Sequence, residues 1–571
     1  MSKKIVFLIL LGIIILATVL RLWQLGNIPP SPDWDEVALG YNAYSIIHTG
    51  RDEFGKFLPV VLRSFDDYKP ALYAYLTIPS ILIFGLNTFA VRFPSAVFGV
   101  LAVLATYFLV KELFSNVKLK TENLKEEQNT KYKILNTEAL ALLSALFMAI
   151  SPWSIQFSRV GFEANVGDAL NLLMVLFFVK GLKRPWLLFL SAFFAGLGIY
   201  VYQSEKVFTP LLALALILIF WKKLFAINKK YIVSAVILGI IVVAPMALYI
   251  LGNRAALLRV TGTSVFSSQT ELLKTNIQKL EQDKLNNDKI GFLLDNRRIV
   301  YAKTMVSGYI SHFDLNWLFI TGDISRHHAP NMGLLYLFEF PFILLGIYFL
   351  IFGEFNKKTK LIIFAWFLIV PIPASITTGV PHAVRTLNFL PIWQIFSALG
   401  ILFAVQKISN IKYQILKIHI KYLIFSLCFL FFIFNFFYYL NQYFVQQNYY
   451  YSQDWQYGYK EAVEEMKKIE GDYKEIVISD KQPMDKSYMF LAFYLMYPPD
   501  EYQKESKDQS GGFAQHHYFG KYTFRPIDWP KDSLRKNVLY LGNPGEIPDG
   551  VSTIKTIYNL DGTPAIKIVG T

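Results

Sequence analysis

The sequence predicts an all-α polytopic membrane protein that ends in a small α/β domain. Of its 571 residues, 54% are hydrophobic and only 17% are charged, a composition typical of membrane proteins. Apolar stretches long enough to cross a bilayer recur up to residue 440. From residue 441 onwards, short amphipathic and apolar segments alternate instead.

About eleven transmembrane spans are predicted if each uses ~20 residues. They cover residues 4–20, 88–113, 138–157, 165–180, 185–202, 206–221, 231–250, 333–353, 361–377, 388–405 and 422–440. The apolar run 70–84 is short for a bilayer about 30 Å thick, so we expect an interfacial or half-inserted helix there.

The lysines predict the orientation in the cell membrane. With 70–84 left out of the count, the lysine-rich loops and Lys3-Lys4 fall on one side, which the positive-inside rule makes cytoplasmic. These loops are 114–138, 180–184, 222–230, 354–360 and 407–421. No Ala-x-Ala cleavage pattern follows the first span, so it is expected to be a retained signal anchor with a cytoplasmic N-terminus. The first outer loop (21–87), a long outer loop (251–332) and the C-terminal domain are then extracytoplasmic.

The predicted domains are a transmembrane catalytic domain, 1–440, and an extracytoplasmic α/β domain, 441–571. Within the second domain we expect helices at 455–468 and 487–496 and strands at 475–479 and 538–541. The sequence of this domain does not indicate its function.

Several function classes are disfavoured. Cys428 is the single cysteine and lies in an apolar span, so neither a disulfide framework nor a thiolate metal site is available. A Walker pattern and a GxGxxG after a strand are both missing, which argues against nucleotide hydrolysis. The net charge of +14 comes largely from the cytoplasmic loops, so no nucleic-acid partner is expected.

Three carboxylates follow the first span in the segment 32–36. Asp33 and Glu36 fit a capping box that begins a helix over 36–47. Asp35 suits a general base, because an aspartate is ionised near neutral pH and can accept a hydroxyl proton. Rival carboxylates in the same loop are expected to be solvated or locally paired, with Asp67 kept as a secondary candidate for an acceptor or metal contact. These rivals are Asp52, Glu53, Asp66 and Asp67.

Basic residues cluster at the predicted outer ends of spans. Lysine and arginine there have long stems that reach the interface, and arginine binds phosphate in bidentate fashion. The candidate phosphate ligands are Lys69, Arg92, Arg159, His382 and Arg385. The competing interpretations are snorkelling for Arg92, a surface ion pair of Arg159 with Glu163, and an interfacial anchor for His382 and Arg385.

Three further histidines lie in the long outer loop. The spacing of His312, His327 and His328 does not match a metal site, so we expect them to be structural. His382 and Arg385 share one face if a helix begins there. Whether a divalent metal ion takes part stays open at this point.

The order of several short motifs resembles a known family. They are Asp35-Glu36, Tyr68-Lys69-Pro70, Arg92-Phe93-Pro94, Ser151-Pro152 with Ser158-Arg159 and Glu163, Gly322-Asp323 with Arg326-His327, and Pro381-His382 with Arg385. Over most of residues 5–440 the chain resembles the polyprenyl-phosphate-dependent glycosyltransferases of GT-C fold. The nearest branch holds the protein O-mannosyltransferases and the aminoarabinose transferase of lipid A. Relatives usually carry Asp near the position of Glu163, which leaves the role of Glu163 open.

This resemblance implies an inverting transfer of a sugar from a polyprenyl-phosphate donor to a protein, lipid or surface glycan on the outer face. Asp35 would then be the base and Glu36 its support, while Arg159 and Glu163 contact substrate. The lipid phosphate would be neutralised by Lys69, Arg92, His382 and Arg385. The alternatives are a lipid-carrier flippase or secondary transporter, and a receptor or scaffold that uses the C-terminal domain.

Overall fold

The computed structural model describes residues 2–65, 67–115, 136–253, 262–266, 269–409, 415–505 and 517–571. The first half is helical apart from one hairpin. Its elements are α1 (Lys3–Leu22), α2 (Trp34–Thr49), β1 (Val61–Ser64), β2 (Asp67–Pro70), α3 (Leu72–Phe84), α4 (Thr88–Phe114), α5 (Thr137–Ile150), α6 (Pro152–Ser158), α7 (Ala164–Gly181), α8 (Leu188–Gly198), α9 (Glu205–Phe225) and α10 (Lys229–Gly252).

The second half begins with helices in the predicted long outer loop and ends in a sheet. The helices up to residue 451 are α11 (Gln269–Leu285), α12 (Lys289–Leu294), α13 (Arg297–Ser311), α14 (Glu339–Phe352), α15 (Lys357–Ile369), α16 (Ile372–Ser375), α17 (Ile392–Ser409), α18 (Ile415–Asn441) and α19 (Gln447–Tyr451). The C-terminal elements are α20 (Tyr459–Ile469), β3 (Glu475–Ile478), α21 (Ser487–Leu495), α22 (Pro499–Glu505), β4 (His517–Phe519), β5 (Tyr522–Phe524), α23 (Trp529–Asp532), β6 (Val538–Gly542), β7 (Lys555–Tyr558) and β8 (Pro564–Gly570).

The apolar helices make the chain a multi-pass membrane protein. Within the described ranges, eight helices have the length and hydropathy to cross a bilayer, and the bent pair α5–α6 makes a ninth candidate. The two remaining predicted spans, 185–202 and 333–353, appear as the shorter apolar helices Pro185–Gly198 and α14. The predicted interfacial helix at 70–84 is α3, which has only 13 residues.

The break between α5 and α6 is stabilised from α1. The two helices meet at 56°, because Pro152 opens α6 and the last carbonyls of α5 lose their helical partners. Arg21 supplies the missing hydrogen-bond donors, because its guanidinium donates to the carbonyls of Met148 and Ala149 at 3.2 and 2.9 Å. Arg21 therefore does not open the first loop, as the sequence suggested, but is buried at the end of α1.

Helices α14 and α17 pack at backbone contact distance. A Cβ atom on Gly346 would lie 1.9 Å from the carbonyl oxygen of Phe396, and one on Gly400 would lie 1.8 Å from that of Phe342. Small residues permit this approach, which is a common way of packing helices in membranes.

The C-terminal segment forms a six-stranded mixed sheet in the order β4-β5-β3-β6-β8-β7, with β3 parallel to both β5 and β6. The four predicted elements of this domain are all present, as α20, β3, α21 and β6. The domain packs on α2, where Tyr41 donates to the carbonyl of Tyr497 at 2.9 Å and Gln503 donates to Ser45 at 2.9 Å. The first loop and the domain therefore lie on the same side of the helix bundle.

Candidate active site

A polar cavity of about 170 Å³ lies beside the start of α2. It gathers carboxylates, cations and imidazoles from five separate segments of the chain. The lining residues are Asp33, Asp35, Lys69, Pro70, Phe162, Glu163, Tyr202, Gln203, Ile324, Arg326, His327, His382 and Val384. Of the eight residues expected at the site, the structure brings four to this cavity: Asp35, Lys69, Glu163 and His382.

Asp35 is the carboxylate most open to the cavity. It is the second residue of α2, where the helix dipole favours a negative charge. Its side chain is 31% exposed and forms an ion pair with Lys69, whose own side chain is only 7% exposed. Lys69 is placed by the β1–β2 hairpin, in which it pairs with Leu62. The arrangement gives a reachable carboxylate next to a largely buried cation.

Asp33 both caps α2 and binds a distant arginine. One carboxylate oxygen accepts from the backbone N–H of Asp35, which confirms the predicted capping box, and the other pairs with Arg326. Burial raises the pKa of Asp33 to about 6, although the positive charge of Arg326 acts to lower it. The Arg326 guanidinium also lies 4.0 Å from the centre of the Trp34 ring, a cation–π contact.

Glu36 is adjacent to Asp35 in sequence but points away from the cavity. It is fully buried and binds Arg92, with Oε1 2.8 Å from Nε and Oε2 3.0 Å from Nη2. Its carboxylate also accepts from the backbone N–H groups of Gly161 and Asp33, at 2.8 and 3.0 Å. Glu36 therefore fixes the loop that carries Asp35.

Arg92 and Arg159 are not among the residues that line the cavity. The other three N–H groups of Arg92 donate to the carbonyls of Leu25, Pro29 and Ser31, so all five of its donors are used. Neither arginine snorkels, since both are buried. Arg159 donates to the carbonyls of Leu20, Trp23 and Ile28. Both side chains hold the first loop through these contacts.

Asp323, His327 and His382 form a compact cluster at one wall of the cavity. His327 Nδ1 lies 3.0 Å from Asp323 Oδ2, which also accepts from the backbone N–H of Ala383 at 2.6 Å. Burial acts to raise the pKa of Asp323, but the hydrogen bond and charge of His327 lower it to about 2. Burial lowers the pKa of His327 and holds the pKa of His382 well below its ordinary value.

His312 and Arg385 flank this cluster in different ways. His312 accepts from the backbone N–H of His382 at 3.2 Å, and burial lowers its pKa to about 4. Arg385 lines a neighbouring cavity of about 250 Å³, which shares Tyr202 and Gln203 with the first. The next helical residues after His382 are a 3₁₀ turn at Leu387–Phe389, so His382 and Arg385 do not share a helical face, and they line different cavities.

The rival carboxylates of the first loop differ from the sequence expectation. Asp52 and Glu53 are not solvated, since both are buried. Asp52 accepts from the backbone N–H of Lys56 at 2.8 Å, and Glu53 accepts from Asn42 at 2.9 Å. Asp66 lies outside the described residues.

Several cavity residues were not singled out by sequence reasoning. Arg326 and His327 stand in a quoted motif, but their spacing does not indicate that they face Asp33 and His382, which lie far away in the chain. Tyr202 and Gln203 follow a predicted span and carry no chemical signal. Only the folded positions of the loops bring these residues together.

Comparison with solved structures shows the GT-C fold. No protein-family model and no curated protein sequence matches the chain. The chain is similar to ArnT from Cupriavidus metallidurans bound to undecaprenyl phosphate, with a TM-score of 0.51, 11% identity and coverage of 100% of this chain and 98% of that one. For the apo state of ArnT the TM-score is 0.50, the identity 10% and the coverage 98% and 97%.

A second similarity is to the oligosaccharyltransferase AglB from Archaeoglobus fulgidus, with a TM-score of 0.49 and 13% identity. The alignment covers 86% of this chain but only 64% of AglB. The predicted fold class, an all-α GT-C membrane protein with a small C-terminal α/β region, is confirmed by the helices, the sheet and the ArnT comparison.

Proposed function

We propose that this chain is a membrane glycosyltransferase that moves a sugar from a polyprenyl-phosphate donor to a hydroxyl acceptor on the outer face of the membrane. The observation that carries the proposal is Asp35, a part-exposed carboxylate at a polar cavity, paired with Lys69 and opposite Arg326. The acceptor can be a protein, a lipid or a surface glycan.

The proposed reaction is a direct displacement with inversion. The acceptor oxygen bonds to the anomeric carbon, the bond from that carbon to the phosphate oxygen breaks, and Asp35 takes the acceptor proton. The polyprenyl phosphate leaves as an anion, so fixed positive charge suffices to stabilise it. Lys69 and Arg326 are the cavity cations placed for this role. Glu163, also at the cavity, is assigned to acceptor contact.

A lipid-linked donor fits the second cavity. That cavity has a largely apolar wall, with Val207, Phe266 and Ile376 among its lining residues, and Arg385 stands at its side. Because it shares Tyr202 and Gln203 with the polar cavity, a lipid chain in this second cavity would bring its phosphate and sugar towards Lys69, Arg326 and Asp35. One solved neighbour, ArnT, is described as bound to undecaprenyl phosphate.

The remaining expected site residues receive indirect roles in this proposal. Glu36, Arg92 and Arg159 position the first loop and do not touch substrate. We also propose that 1–440 and 441–571 are separate domains, that the N-terminus is cytoplasmic and that the C-terminal domain is extracytoplasmic, since it packs on the loop that carries Asp35.

The test is sugar transfer in proteoliposomes with a panel of polyprenyl-phosphate sugars, comparing the native chain with Asp35→Asn. Removing a general base typically lowers the rate by about 10²–10⁴-fold, so we expect a loss of that size with donor binding retained. Asp454→Asn, an exposed aspartate in the same fold, is the matched control and should keep full turnover. Equal turnover in Asp35→Asn would refute Asp35 as the base, and lipid movement without sugar transfer would favour a flippase.

A further inference from the structure

The cluster of Asp323, His327 and His382 has the composition of a metal site. Each residue offers one ligand atom, and these atoms all lie within 4.8 Å of one another. The residues come from two loops, 322–328 and 381–386, which are joined by the hydrogen bond from Ala383 N–H to Asp323 Oδ2. The cluster is therefore a built feature of the fold and not a chance meeting of exposed side chains.

One ring nitrogen of the cluster lacks a protein partner. Nδ1 of His382 is buried and has no hydrogen-bond partner among the described residues. A buried polar nitrogen without a partner costs free energy, so an unpaired lone pair at this position calls for a ligand. His312 is not a competitor, because its two ring nitrogens are taken by the Gly308 carbonyl and the His382 N–H.

We propose that Asp323, His327 and His382 bind a divalent transition-metal ion of the Zn²⁺ class. Two imidazoles and one carboxylate are the ligands that such ions favour, whereas Mg²⁺ and Ca²⁺ prefer all-oxygen sites. His327 Nδ1 and Asp323 Oδ2 are 3.0 Å apart, close to the ~3.3 Å between neighbouring ligands of a tetrahedral ion at bond lengths of ~2.0 Å. The ion replaces the proton that lies between His327 Nδ1 and Asp323 Oδ2, and this proton moves to Nε2 of His327.

Three protein ligands leave at least one coordination position open, as in catalytic zinc sites. His327 and His382 both line the polar cavity, so the open position faces the space between them and Asp35. A divalent ion held by a single carboxylate keeps a net positive charge. An anionic oxygen is therefore the favoured exchangeable ligand. The assignment of this oxygen to the donor phosphate rests on the proposed function. The binding of the metal ion does not depend on that function.

The experiment measures Co²⁺ binding to the full-length protein, purified in detergent without a polyhistidine tag and stripped with EDTA. We expect one Co²⁺ per chain by equilibrium dialysis, visible ligand-field absorption, and a higher melting temperature with Co²⁺ than without it. A hundredfold excess of Mg²⁺ should not displace the ion. His382→Ala should lose the absorption and the stoichiometric binding.

Two further variants distinguish the loss of a metal ligand from misfolding. His327→Gln should lose binding as His382→Ala does, and His48→Ala, which changes an exposed histidine of α2, should bind Co²⁺ like the native chain. The melting temperature without metal verifies that each variant is folded. The proposal is overturned if the folded native chain takes up no stoichiometric Co²⁺, if binding persists in both ligand variants, or if Mg²⁺ displaces Co²⁺. Full sugar transfer by metal-free protein would refute a role of the ion while leaving the transferase intact.

Discussion

Replacing Glu36 by Gln should destabilise the protein far more than replacing its neighbour Asp35 by Asn. Glu36 and Arg92 are both fully buried, and the Glu36 carboxylate accepts four hydrogen bonds, two of them from backbone N–H groups. A glutamine has only one acceptor oxygen, so the donors that now bind the second carboxylate oxygen would lose their partner. Arg92 would also keep a charge that nothing compensates. Breaking a buried pair in this way costs about 3–5 kcal/mol.

The Asp35→Asn change acts on a different kind of ion pair. Asp35 is 31% exposed and Lys69 only 7% exposed, so losing this part-buried pair should cost more than the about 0–1 kcal/mol of a solvent-exposed pair but less than the loss of a fully buried one. The two variants can be compared by heating detergent-solubilised protein and measuring the folded fraction by size-exclusion chromatography with fluorescence detection. We expect Glu36→Gln to lose its folded peak at a clearly lower temperature than Asp35→Asn. Equal melting temperatures for the two variants would refute the division of roles between these carboxylates.

Two further predictions concern packing and pH. Gly400→Ala should lower the melting temperature, because overpacking against the Phe342 carbonyl costs about 1–3 kcal/mol, while Gly12→Ala, where nothing lies within 4 Å, should have no effect. Burial raises the pKa of Glu53 from 4.5 to about 8, so between these pH values the folded state binds a proton that the unfolded state has lost. The free energy of unfolding should therefore fall as the pH rises from 4.5 to 8, by on the order of 1.4 kcal/mol per pH unit at most. Glu53→Gln should melt like the native chain at pH 5 and higher than it at pH 8; an unchanged melting curve at pH 8 would contradict the buried, protonated state.

The sequence predicted the helices and the capping box well because both depend on local signals. Apolar runs of spanning length locate α1, α4 and α9, and the Asp33–Glu36 spacing locates the start of α2. The cavity walls were predicted less well. Asp323 and His382 lie in loops without hydrophobic periodicity, and their distance in sequence gives no hint that they meet.

The arginines show a second kind of contact that the sequence does not reveal. A charge in an apolar span suggests snorkelling or a substrate contact, because an unpaired buried charge is costly. In the structure, however, Arg92 binds Glu36 and three backbone carbonyls, and Arg159 binds one carbonyl at the end of α1 and two in the loop that follows. The irregular backbone around residues 20–31 supplies these acceptors, and a sequence does not reveal which carbonyls a loop leaves unpaired.

These contacts also explain how a loop can hold a reacting group in place. Irregular backbone beside a bilayer is tolerated only where its polar groups are satisfied, and Arg21, Arg92 and Arg159 supply the donors for α1, α5 and the loop between α1 and α2. Successive helical residues point about 100° apart. Once Glu36 is fixed on Arg92 by buried bonds, Asp35 must therefore project to a different side of α2, which is the side of the cavity. The position of the proposed base thus follows from the buried neighbour that the reaction does not use.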